Sequence, residues 1–471
     1  MDRQTVVLAT LVAYKVLLIA IGFWASRRTH SSEDFFIGGK TLGPWVAATS
    51  SSASASSAWS LLGVSGAAFT MGLSSLWLFP AVVLGYMFNW LWIAPRIRHL
   101  GNKTGAITLT ELLAGEDKYS KLIIYSCTFI IVFSFAFYIA AQFQAAGGTF
   151  ATTFNMNSAN AIMLGTGIIL VYTLLGGFWA VSVTDTLQGL LMALTSIILP
   201  IAALVAVGGF GELFGQLQHQ FSDVQLSITG AHSGWFALAF AIGLLGVGLG
   251  NPGQPHVVNR FMALKDENAV RVGKYIGIAW PIIVIGGMLI LGLCARVLLA
   301  DVSDNEQVLF SVTNLLFPPI IAGIFVAAVL SAIMSTADSQ LLVSASSLSY
   351  DLKLKGSPEK QLLLSRLTVA GMCIVSLFIA LYAPEAIFSR VLFAWAAIGS
   401  AFGPLLIILL MGYQVKGSSR LAAVIIGFSL TVYFNWQENS PGDILERVLP
   451  FFVALLVAYL GRYRTNQTKV K

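Results

Sequence analysis

The sequence predicts an all-α integral membrane protein of about thirteen transmembrane helices, and three observations carry that prediction. Hydrophobic residues make up 57% of the 471 and charged residues only 10%, with a mean hydropathy of +0.81, far from the balance of a soluble domain. Apolar runs of about 20 residues recur along the chain, the length an α-helix needs to cross the hydrocarbon core. The polar and apolar alternation that marks a membrane β-barrel is absent, so helices are left to satisfy the backbone in lipid.

In order, the runs place spans at 5–26, 42–70, 74–94, 121–148, 158–178, 182–207, 233–257, 270–299, 308–349, 363–383, 386–412, 418–435 and 447–462. The first ends at Arg27 and Arg28 with no small-residue cleavage site after it, which predicts a retained span. The ninth is too long for one straight span and implies a short helix in its first part. The hydrophilic gaps 95–120, 208–232 and 350–362 are too short to bury cores of their own. A single polytopic domain over 1–471 follows.

Basic residues gather on alternate loops, from Arg27 and Lys40 through Arg96, Arg260 and Lys360 to Arg464. The opposite loops hold mainly Arg3, Arg390 and Arg447, beside the acidic stretches DVSDNEQ and WQENSPGDILE. The positive-inside rule then puts the N-terminus outside and the C-terminus in the cytoplasm of a plasma membrane. That orientation signal accounts for the net charge of +6 without nucleic acid as a partner. Cys127, Cys294 and Cys373 lie inside apolar runs without metal-type spacing and read as small core residues.

Two spans are irregular. The stretch ATSSSASASSAWSLLG, 48–63, is almost half serine, a weak helix former and a poor match for lipid. Small residues surround the helix there, whereas close helix packing needs a single stripe. The second, GLLGVGLGNPGQPHVVNRF at 243–261, carries five glycines and two prolines, and Pro252 and Pro255 interrupt its hydrogen bonds. If spans two to six and seven to eleven form repeats at 41–207 and 233–412, with extra segments at 1–40 and 413–471, each repeat opens on an interrupted helix. Paired broken helices at matching positions point to a transporter's midplane site. An odd repeat length makes the two halves inverted.

Few ionisable groups fall inside spans, where each is costly. Lys15 and Arg296 are expected to extend toward the surface without a function. Asp185 reads either as a cap on span six or as a buried functional acid. Ser331, Ser335, Asp338 and Ser339 share one helical face, with Thr336 beside it. Either the serines bond back to their own helix, or the face offers hard oxygen ligands to a small cation, not a soft metal site. No G-x-S-x-G stretch occurs and His256 is the only histidine near the serines, so an enzyme is not expected. Trp59 and Trp395 either wall a cavity or pack against core and lipid.

Through FFIGGKTLGPWVAATSSSASASSAW, LLGGFWAVSVTDTLQGLLM, GQPHVVNRFMALK and LSAIMSTADSQLLVSASSLSYDL, the chain resembles the sodium/solute symporter family over nearly its whole length. Through GGKTLGP, TDTLQ, GQPH and MSTADSQLL it looks like the bacterial proline transporter branch. The resemblance implies a leucine-transporter-type fold of two inverted five-helix repeats, and Na⁺-driven uptake of a small organic solute such as proline by alternating access. It implies a main Na⁺ site from the carbonyls of Ala53, Ser56 and Ala332 and the hydroxyls of Ser335 and Thr336. Asp185, Asp338 and Ser339 match a second cation position or inner exit route. The candidate solute contacts are Ser54, Ser57, Val247, Asn251 and Pro255.

Three positions depart from the branch. Ala55 stands where proline transporters carry an aspartate important for sodium, and Lys40 replaces an arginine, keeping charge but losing a bidentate fork. Val247 and Asn251 replace an aromatic pair associated with proline. The departures leave two alternatives standing: proton coupling through Asp185 and Asp338, and a solute sensor acting through a separate partner.

Overall fold

Lipid offers the backbone no hydrogen-bond partner, and the apolar runs accordingly close their hydrogen bonds along helices. The computed structural model describes residues 3–26, 42–175, 178–299, 302, 304–352, 358–383, 385–437 and 440–464. Arg27, Arg28 and Lys40 lie outside the described residues. In chain order the main helices are α1 (Arg3–Ser26), α2 (Pro44–Ala55), α3 (Val64–Met71), α4 (Leu78–Phe88), α5 (Ser120–Phe154), α6 (Ser158–Leu175), α7 (Phe178–Val207) and α8 (Gly234–Leu245). They continue with α9 (Pro255–Met262), α10 (Glu267–Leu298), α11 (Val308–Leu316), α12 (Pro319–Ser346), α13 (Pro358–Tyr382), α14 (Ile387–Leu410), α15 (Gly417–Asn435) and α16 (Leu449–Leu460).

Among the described residues, 10 helical segments are long and apolar enough to cross a membrane, so the count of thirteen is not established by helix length. The difference lies in three places. Helical pieces abut without an intervening loop over Trp59–Thr104, which runs predicted spans two and three together. The chain still turns between α3 and α4 at Gly72, φ 64° and ψ −137°, where an added Cβ would meet the Gln225 carbonyl oxygen at 2.2 Å. The other two places are Ser158–Leu174 and α16, both apolar but short. The ninth run divides as expected into α11 and α12, because Pro318 and Pro319 cannot continue α11.

α7 packs against α2, α10 and α12, and α14 lies along the irregular stretch Gly246–Gly253. α12 and α14 are the most enclosed of the spans and α1 the most outward-facing. The polar faces of the central helices are therefore turned toward one another, where the two broken segments meet them.

Candidate functional site

The first break follows from its serines. α2 stops at Ala55, and Ser56 takes φ −107° and ψ 89°, leaving the helix. Its amide turns back to the Ala53 carbonyl at 3.1 Å. Carbonyls at such an end have no partner further along the helix. The amide of Ala58 is instead taken by Gln142 Oε1 of α5, 3.1 Å away, before winding resumes as a wide π turn over Trp59–Gly63.

Facing this end is α12. Ser335 Oγ donates to the carbonyls of Ala53 and Ala332, both at 3.2 Å, and Thr336 Oγ1 donates to the Ser54 carbonyl at 3.0 Å. Ala53, Ala332 and Ser335 are thus joined directly, and Thr336 meets the next carbonyl along. All five residues are buried. Ser56 Oγ accepts from Trp280 Nε1 of α10 at 2.8 Å and lies 3.4 Å from the Tyr86 hydroxyl of α4, rather than bonding Ser335 or Thr336. Self-bonding of α12 is real as well: Ser331 donates to the Ala327 carbonyl at 2.7 Å. At Ser335 the two alternatives coexist, since one hydroxyl reaches both its own helix and the break.

The second break is built differently. Gly246–Gly253 winds as a 3-10 helix, Gln254 is extended at φ −77° and ψ 108°, and Pro255 opens α9. Carbonyls along this stretch find side-chain donors, among them that of Asn251, to which Pro255 cannot donate. Trp395 Nε1 of α14 donates to the Val247 carbonyl at 3.2 Å, and Asn89 Nδ2 to the Asn251 carbonyl at 3.1 Å. Gln254 Nε2 joins the carbonyls of Gly250 and Trp395 at 3.1 and 2.9 Å. Such close seating needs glycine: a Cβ on Gly399 would stand 2.4 Å from Gly250 Cα.

Between the breaks lies a cavity walled in part by Ser56, Trp59, Tyr86, Val247, Asn251 and Trp395. Both tryptophans therefore face the cavity, and Ala55 lines it as well. Ser54, Ser57 and Pro255 are not among its lining residues. The Ser54 carbonyl takes Thr336, and Ser57 Oγ accepts from the Tyr138 hydroxyl at 3.3 Å. Pro255 is buried in the first turn of α9.

Asp185, Asp338 and Ser339 come together beside a second cavity, lined in part by His256, Arg260, Ser339 and Ser346. Asp185 stands about two turns into α7, too deep to cap it. Arg260 Nη2 lies 2.8 Å from Asp185 Oδ2, with the two side chains 2% and 0% exposed. The same nitrogen donates to Ser339 Oγ at 2.7 Å, and Nε donates to Ser50 Oγ at 2.7 Å. Ser50 in turn donates to Asp185 at 2.9 Å, while Ser339 lies 3.5 Å from Asp338 Oδ1. Arg260 is therefore not a loop charge, as its place after the apolar run suggested. It is the cation at the centre of this cluster.

Sequence reasoning also passed over Gln142, Trp280 and Tyr86, each of which bonds the first break or its serines. The pair of glutamines, Gln142 and Gln144, in a largely apolar span was the available signal. Lys15 does not extend outward: its Nζ turns onto Met334 Sδ of α12.

The chain is 34% identical over 453 residues to the high-affinity proline transporter of Bacillus subtilis, covering 94% of each. It is also 34% identical over 469 residues to the sodium/proline symporter of Escherichia coli, covering 96% of this chain and 92% of the relative. Among solved structures, a Na⁺-coupled sialic acid symporter matches with a TM-score of 0.80 at 18% identity, covering 98% of this chain and 100% of that one. A transporter of the nucleobase-cation-symport-1 family follows at 0.57 and 13%, covering 92% and 95%. These likenesses place the fold with the leucine-transporter type. With residues 35–427 matching the sodium:solute symporter family, a family of sodium-coupled membrane transporters and not of enzymes, the chain belongs to that family.

Proposed function

We propose that this protein carries Na⁺ and proline together into the cell by alternating access. The observation that carries the proposal is the meeting of α12 with the broken end of α2, where Ser335 and Thr336 donate to the carbonyls of Ala53, Ala332 and Ser54. Hydroxyls that turn their protons aside become acceptors, and carbonyls at a helix break are the ligands transporters use for Na⁺. A bound ion at Ala53, Ser56, Ala332, Ser335 and Thr336 would tie α12 to α2 while the solute fills the cavity between the breaks. The proline transporters of B. subtilis and E. coli support proline as the solute, and Val247 with Asn251 in the cavity wall sets how closely the site follows theirs.

In this account the inverted repeats are 41–207 and 233–412, the N-terminus is outside and the C-terminus cytoplasmic in the plasma membrane. Asp185, Asp338 and Ser339 lie on the inner route by which the ion leaves. A charge moving down about 100 mV gains roughly 2.3 kcal/mol, and a tenfold Na⁺ gradient adds about 1.4 kcal/mol. One ion then supports an accumulation of a few hundredfold.

The test is uptake of labelled proline into proteoliposomes with and without an inward Na⁺ gradient, comparing wild type with Ser335→Ala/Thr336→Ala. Sodium-dependent uptake lost in the double variant is the expected result. Uptake driven by a pH gradient without sodium would replace this proposal with proton coupling through the buried acids.

A further inference from the structure

Two acids and two bases, Asp185, Asp338, Arg260 and Lys15, lie inside the bundle, and transport as proposed above uses the two acids. Arg260 holds Asp185 directly. Asp338 is differently placed. Among the described residues its Oδ1 is approached by Ser339, whose Oγ lies 3.5 Å away, and its Oδ2 is buried without a hydrogen-bond partner. The fourth charge is Lys15, in the middle of α1, the helix that precedes the first repeat.

α1 packs on α12 and α7, and two consecutive residues of α1 reach α12. The Tyr14 hydroxyl lies 2.6 Å from Ser331 Oγ. Lys15 Nζ rests on Met334 Sδ, 5.7 Å from the Tyr14 ring centroid. Met334 and Asp338 are four residues apart, so they follow one another along one face of α12. A lysine in the middle of a span is far from both membrane surfaces, so its ammonium is costly unless it finds a partner inside the protein. This one points inward, onto a thioether, which is a weak acceptor for an ammonium.

We propose that Lys15 is a positioning residue that supplies the counter-charge to Asp338, as Arg260 does to Asp185. The proposal rests on Asp338 belonging to the inner cation route. With Lys15 included, the cluster holds two carboxylates and two fixed cations on four helices, α1, α7, α9 and α12, and carries no net charge. The four-carbon stem lets the ammonium move along α12 between Met334 and the free Oδ2. A departing ion then meets a compensated carboxylate, not a bare one. An isolated charge of either sign in this interior is the costly state.

The experiment is a double-mutant cycle on the full chain in detergent micelles, read as melting temperature in sodium-free choline buffer: wild type, Lys15→Met, Asp338→Asn and the pair. Lys15→Met is expected to lower the melting temperature by about 4 °C or more, and the paired variant to recover most of that loss. Lys15→Arg keeps the wild-type value. An equal loss in both Asp338 backgrounds, or no loss in either, overturns the proposal. Should Lys15→Met fail to fold, recovery of folded protein in the pair supports the proposal and continued failure overturns it. Because the cycle contains no sodium, it is independent of the uptake test. Absence of sodium-driven uptake in the wild type defeats the symport proposal and leaves this cycle readable. In uptake, Lys15→Met leaves a bare carboxylate on the exit route and is expected to lower both the half-saturating Na⁺ concentration and the maximal rate about tenfold, while Lys15→Arg leaves both near wild type.

Discussion

The two broken helices answer the same problem with different chemistry. At the first, carbonyls of Ala53 and Ser54 meet the hydroxyls of Ser335 and Thr336, donors that rotate freely and become acceptors in the presence of a cation. At the second, the carbonyls of Val247, Gly250 and Asn251 meet an indole and two amides. The indole N–H has no acceptor role to offer. Glycine contacts then lock Gly246–Gly253 against α14. The first break is arranged to exchange partners and the second to stay in place. On the function proposed above, this is the difference between an ion site and the wall of a solute cavity.

One residue bridges the two. Arg260 leaves the second break on α9 and holds Ser50 of α2 and Asp185 of α7. Removing one member of a buried ion pair leaves the other uncompensated, so Arg260→Met is expected to destabilise the protein by about 3–5 kcal/mol. The Asp185→Asn/Arg260→Met pair should recover much of that loss. Thermal unfolding of the three variants checks it, and a loss below about 1 kcal/mol would mean that the breaks are not tied through this pair. Next in size is Gly399→Ala, which forces a Cβ against the Gly250 backbone and should cost about 1–3 kcal/mol. A neutral result in the same assay would show that the second break yields as the first does.

Much of this contrast was legible in the sequence, because it depends on local chemistry. A run of serines and a run of glycine and proline each announce a helix that does not continue, and the spacing of Ser331, Ser335 and Asp338 puts them on one face. What was not legible depends on long-range partners. Arg260 finds Ser50 across 210 residues and Asp185 across 75, and as the first charge after an apolar run it looked like a loop residue. Gln142, Trp280 and Tyr86 are polar groups in largely apolar helices, where packing alone explains them until the break is seen beside them. Ser54, Ser57 and Pro255 illustrate a further limit. Closeness to a break in sequence does not say which residues face the cavity: the Ser54 carbonyl is taken by Thr336 and the Ser57 hydroxyl by Tyr138, away from the lining.

The smallest expected effect concerns the frame of the second break. Glu306 sits in the turn Asn305–Gln307, outside the spans, and its Oε1 accepts the Phe388 amide at 3.1 Å, at the start of α14. A carboxylate suits a helix N-terminus, yet burial outweighs this bond and the pull of Arg390, and pushes the carboxyl up to about 7 from 4.5. The folded protein therefore holds this proton more tightly than the unfolded chain. The stability it contributes is complete below the unfolded value and is lost as pH rises through about 7. Glu306→Gln keeps an acceptor for Phe388 and removes the titration. Its melting temperature should be flatter than wild type between about pH 5 and pH 8, and at the alkaline end no lower. Solvent at the partly exposed carboxyl screens the charge, so a shift of only a few degrees is expected. An unchanged slope would move the pH dependence elsewhere. A changed proline half-saturation at pH 8 would mean that the anchoring of α14 reaches the cavity, and that the second break is less fixed than its indole and amide contacts imply.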